Sequence, residues 1–92
     1  MTANITAEIV NKKGLHARAA AKFVKTVTAF DAQVKVQKIG DDSVVGGSSI
    51  LGLMMLGADL GSKLSISAEG AQETEVIAAL EELIAGRFGE PE

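Results

Sequence analysis

The chain has 92 residues, 47% of them hydrophobic and 23% charged, and carries a formal net charge of −3. That length suits one domain with one modest core, so residues 1–92 read as a single domain of ordinary globular composition. No cysteine and one histidine exclude disulfides, thiolate metal sites and paired-histidine sites, while the acidic balance and the lack of Trp and Tyr speak against nucleic acid.

In chain order, NITAEIV (4–10) alternates as a strand, with Ile5, Ala7 and Ile9 on one face and Thr6 and Glu8 on the other. A loop through Asn11 to Gly14 follows. Over 16–30, Ala20, Phe23, Val24, Val27 and Phe30 recur at helical spacing, and Arg18, Lys22 and Lys25 form a basic stripe on another face. AQVKVQKI (32–39) alternates again, GDDS supplies a turn, and a short strand around Val44 and Val45 completes a hairpin. After Ser48 and Ser49 comes ILGLMML (50–56), a segment with almost no polar side chain. KLSISAE (63–69) is a fourth strand. The closing stretch AQETEVIAALEELIAGRF (71–88) predicts a helix with Val76, Ile77, Leu80, Leu83 and Ile84 on one stripe, early Glu73 and Glu75 and late Arg87 suiting the helix dipole. Pro91 falls in a tail expected to fray. The order is β-α-β-β-α-β-α, an α+β fold whose simplest form is a four-stranded, mostly antiparallel sheet covered on one face by three helices.

The N-terminus lacks a basic region followed by a long apolar stretch, and the main apolar run, 50–58, is half a membrane span. A cytoplasmic protein without membrane insertion is expected.

His16 stands where a helix should begin, and it fits two roles. Gly14 permits a sharp turn, and a polar residue that simply opens a helix is common; Ser, Thr, Asp and Asn are nevertheless better caps than imidazole. The second role is chemical. Free amides and the positive end of the helix dipole favour a neutral, nucleophilic ring, and Arg18 with Lys12 and Lys13 acts in the same direction. Those groups would also hold an arriving phosphate. No acid lies between Glu8 and Asp31, so the region reads as one basic patch with no carboxylate near in sequence to orient the ring. No Ser, His and Asp arrangement and no phosphate-binding glycine loop followed by Lys-Ser or Lys-Thr can be built. A phosphoryl carrier fits better than an enzyme.

GLHARAAAKFV, followed by SSILGLMMLGADLGSKLSISAEG, resembles the HPr family, the histidine phosphocarriers of the bacterial phosphoenolpyruvate-dependent phosphotransferase system. The likeness spans nearly the whole chain. It implies an open-faced β-sandwich of the order given above, His16 as phosphoryl acceptor and Arg18 as its phosphate partner. It further implies a relay in which Enzyme I, charged from phosphoenolpyruvate, phosphorylates His16 and the group passes to an Enzyme II A-type protein. The carrier would act as a monomer without cofactor or metal. The family usually has proline after the arginine; Ala19 stands here, which gives up a rigid first turn and gains an amide.

Ser48 and Ser49 precede the apolar run, and one of them suits an N-cap. In relatives of this pattern the serine before the Ile-hydrophobe-Gly run is the target of HPr kinase; that serine maps to Ser49. The resemblance also places Leu53 and Leu56 inward, leaving Ile50, Leu51 and Met54 as an exposed apolar patch rimmed by Arg18, Lys22 and Lys25, a surface suited to transient acidic, apolar partners. Met55 is expected to fill a gap in the core. Two other readings stand beside the sugar relay: a regulatory binding module of a nitrogen-related branch of the same system, and a small-ligand sensor domain of similar build.

Overall fold

The computed structural model describes residues 2–92. Its elements are β1 (Ala3–Glu8), α1 (Ala17–Thr28), β2 (Gln33–Lys38), β3 (Val44–Gly46), α2 (Ile50–Met55), β4 (Lys63–Glu69) and α3 (Glu73–Ala85), followed by a 3₁₀ turn at Arg87–Gly89. The strands form one sheet in the order β1-β4-β2-β3, and every neighbouring pair is antiparallel.

The register explains why one face is covered. Ile5 opposes Ile66, Ile66 opposes Val36, and Val36 opposes Val45, so one apolar row crosses all four strands. The adjacent row, Asn4, Ser67, Lys35 and Gly46, points the other way and is polar or small. The helices lie on the apolar face. There α3 packs on β1 and β4, and α1 packs against both α2 and α3. Phe23, Leu53, Leu64, Ile66, Leu80, Ile84 and Phe88 are fully buried between the layers. This is the expected open-faced sandwich, with the expected element order.

Boundaries differ in three places. The first strand was expected to reach Val10 but ends at Glu8; Ile9 is still buried, now by loop pairing, its amide donating to Ser62 O (2.8 Å) while its carbonyl accepts from Gly61 N (2.8 Å). The last helix stops at Ala85 rather than Phe88. Met55, expected in the core, is 75% exposed: Leu53 and Leu56 take the inward positions of a six-residue helix, and Met55, two residues or about 200° from Leu53, must face out.

Candidate functional site

The loop before α1 is shaped by Gly14. Its φ of +67° is easy only for glycine, and a Cβ there would sit 2.5 Å from the Ala58 carbonyl oxygen. This close approach lets Leu15 N donate to Ala58 O at 2.8 Å, which docks the start of α1 on the loop after α2. His16 is then the N-cap residue, extended at φ −78° and ψ −178°, with its carbonyl accepting from Ala20 N. Its ring makes no bond to the helix amides. The first amides of α1, at Ala17, Arg18 and Ala19, have no carbonyl within the helix to bond to. His16 thus opens the helix as its N-cap residue, but without a side-chain cap.

The ring turns instead to the C-terminal segment, where Glu90 Oε2 meets His16 Nε2. The expectation of a frayed tail is overturned. Beyond α3 the residues Arg87, Phe88 and Gly89 all take left-handed φ values, +59°, +54° and +76°, and fold the chain back towards α1. Left-handed backbone at two non-glycine residues costs on the order of 1 kcal/mol each. Burial of Phe88, only 1% exposed, offsets that by about 1.5–3 kcal/mol. The segment is tied down further by Lys22 Nζ donating to Phe88 O, Lys12 N donating to Glu92 O (3.0 Å) and Arg87 Nη1 donating to Pro91 O (3.0 Å).

Behind Glu90 stands Asn11, completely buried. Its Nδ2 donates to Gly14 O (2.8 Å) and to Glu90 Oε1 (3.1 Å), while its Oδ1 is buried without a partner. The bond from His16, foremost, holds the Glu90 carboxyl below its ordinary value, against the opposing effect of burial; the Asn11 bond and the positive charge of His16 and Lys13 assist.

A cleft of about 240 Å³ results, lined by Lys12, Lys13, His16, Arg18, Glu90, Pro91 and Glu92. The His16 side chain is 29% exposed and that of Glu90 12%. The basic patch expected around His16 thus contains carboxylates after all, both contributed from more than seventy residues away. Glu92 also approaches Lys12 at 3.5 Å in an exposed pair of little energetic weight. Glu90 and Asn11 were missed in the sequence, where nothing local links either to His16. Among the described residues no three His, Cys, Asp or Glu gather as a metal-binding set.

The remaining sequence candidates fall as follows. Arg18 is exposed in the first turn of α1 and lines the cleft. Lys25 is exposed in the last turn, whereas Lys22 is half-buried and engaged with Phe88 O. Ser49 is the N-cap of α2, its Oγ accepting from Gly52 N at 3.0 Å; Ser48 makes no such cap. Ile50 (43%), Leu51 (68%) and Met54 (43%) are exposed on α2, and Leu53 is buried. No helix among the described residues is long and apolar enough to cross a membrane.

Comparison with known proteins gives a consistent result. Residues 3–86 match the family model described as PTS HPr component phosphorylation site. Phosphocarrier protein HPr of Neisseria meningitidis is 51% identical over 85 residues, 92% of this chain and 93% of that protein. Phosphocarrier protein HPr of Pseudomonas aeruginosa is 50% identical over 84 residues, 91% of this chain and 92% of the relative. Among solved structures, HPr-C-His from Thermoanaerobacter tengcongensis superposes with a TM-score of 0.91 at 47% identity, covering 98% of this chain and 99% of that one.

Proposed function

This chain belongs to the HPr family of phosphocarrier proteins, and on that premise we propose that it accepts a phosphoryl group on His16 from Enzyme I and passes it to an Enzyme II A-type protein. The observation that carries this reading is the state of the His16 ring. It sits at a helix N-terminus without capping it, has Nε2 bonded to Glu90, and leaves Nδ1 free of the helix amides. Nδ1 is then the nitrogen with a lone pair to offer. The free amides of α1 and the Arg18 guanidinium would stabilise the charge on the transferring group. Catalysis of the chemical step is left to the partners, so the chain works as a carrier, a cytoplasmic monomer of one domain.

Partners would meet the exposed Ile50, Leu51 and Met54, with Arg18, Lys22 and Lys25 on the rim, where charge speeds encounter more than it tightens binding. Ser49 is the proposed regulatory phosphorylation site for an HPr kinase/phosphorylase. A phosphate there would bring about −1.5 to −2 charges to the edge of this apolar contact.

The test is incubation with Enzyme I and labelled phosphoenolpyruvate. Acid-labile, base-stable label is expected at His16, and none in His16→Ala, which should still fold and lose only the stability that the bond to Glu90 supplies, because the ring caps nothing and lies partly in solvent. Label retained in that variant would move the acceptor elsewhere.

A further inference from the structure

We propose that Glu90, pinned by Asn11, is a positioning residue that keeps the imidazole proton of His16 on Nε2 throughout the phosphoryl cycle; this rests on the reading of His16 as acceptor. The geometry leaves little choice of orientation. Gly14 O can only accept, so the Asn11 amide must present Nδ2 to it, and the same Nδ2 bonds Glu90 Oε1. With one oxygen held there, the other, Oε2, faces His16 Nε2 and accepts from it. A proton on Nε2 leaves the Nδ1 lone pair for phosphorus.

The cycle then balances without any proton entering or leaving. On acceptance the Nδ1 lone pair forms the N–P bond, and the bond between phosphorus and the donor's histidine breaks, its electron pair returning to the donor ring. His16 becomes a phosphorylated ring that still carries the Nε2 proton, and its positive charge lies against the Glu90 carboxylate. On transfer the acceptor's nitrogen attacks phosphorus and the N–P pair returns to Nδ1. The leaving group is neutral imidazole, far better than the imidazolate that would depart had Nε2 lost its proton. Lys12, Lys13 and Arg18, which line the same cleft, push towards that loss, and Glu90 opposes them.

Glu90→Gln reverses the polarity of this arrangement without removing it. The Gln oxygen must take the Asn11 side, where only donors face it, so its amide nitrogen faces His16 Nε2 and the imidazole proton is driven to Nδ1. Long-range ¹⁵N–¹H NMR on the whole chain, at a pH where the ring is neutral, should show the Nε2–H form in the natural protein and a shift towards Nδ1–H in the variant. Phosphoryl acceptance from the phosphohistidine donor should fall at least tenfold in the variant. Glu90→Ala, with no group at that position, should give an intermediate tautomer mixture. An unchanged tautomer in Glu90→Gln, or an unchanged transfer rate, overturns the proposal. If the natural protein takes no phosphoryl group at all, the acceptor reading itself falls; the tautomer measurement, which needs no phosphate, still tests Glu90 separately.

Discussion

Replacing Gly14 by alanine measures how strongly the close approach between the two loops positions His16, and Gly57→Ala supplies the control. The two glycines have nearly the same φ, +67° and +63°, but a Cβ at Gly57 meets nothing within 4 Å, whereas at Gly14 it lies 2.5 Å from Ala58 O and 2.9 Å from Asp59 Cα. Both variants incur the left-handed cost of about 1–2 kcal/mol, reduced by roughly 0.4–1 kcal/mol because alanine restricts the unfolded chain. Gly57→Ala should therefore cost roughly 0–1.6 kcal/mol. For Gly14→Ala the loops must also part. Relieving the overlap costs about 1–3 kcal/mol, and weakening the 2.8 Å bond from Leu15 N to Ala58 O adds about 0.5–1.5 kcal/mol. The sum is roughly 1.5–6 kcal/mol, and at about 4–8 °C per kcal/mol for a domain of this size the melting temperature should drop by at least about 6 °C. Urea unfolding at constant m-value gives the free energies directly. Phosphoryl acceptance, measured well below the lowered midpoint, should also fall in Gly14→Ala and not in Gly57→Ala, since only the former displaces His16. Stabilities of the two variants within 0.5 kcal/mol of each other would refute the assignment of Gly14 as the residue that docks the site.

Arg18→Ala should still accept phosphate but transfer it about tenfold more slowly, the low end for losing a charge-assisted hydrogen bond because Arg18 is solvent-exposed; equal rates in both directions would remove its role. Ser49→Asp should slow transfer from Enzyme I severalfold, an effect on the order of 1 kcal/mol that weakens with added salt, while aspartate remains a competent cap and the melting point hardly moves. Ser48→Asp, which caps nothing, should do markedly less; equal effects would misplace the partner surface. Because the folded Glu90 carboxyl titrates below the ordinary 4.5, its contribution to stability is fully present above that pH and is lost as pH falls from there through the lowered value. Urea unfolding across this acid range should show the contribution vanish in the natural protein and show no corresponding loss in Glu90→Gln.

Helices and strands were legible because their signals are local. A period near 3.6 in AAKFVKTV and a period of two in KLSISAE each say which face is buried, whatever the partner. Even so, the end of the last helix was misplaced: the closing stretch was read as helical through Phe88, but the chain buries Phe88 by turning left-handed at Arg87 rather than by adding a turn to α3. Met55 failed similarly, since an apolar run with no polar residue does not say which side faces the sheet.

The sequence by itself determined the order of elements and the helix start at His16, and it narrowed the cap of α2 to Ser48 or Ser49, each signal lying within a few residues of the chain, while Arg18 as partner of His16 was implied by the family resemblance. Only the tertiary structure decided what faces the His16 ring. Glu90 lies 74 residues further along the chain and Asn11 joins it across 79, so no spacing rule connects them. What brings them together is the burial of Phe88 and the reversal of backbone that burial requires, and that energy exists only once the core of α1, α3 and the sheet has formed around the aromatic ring.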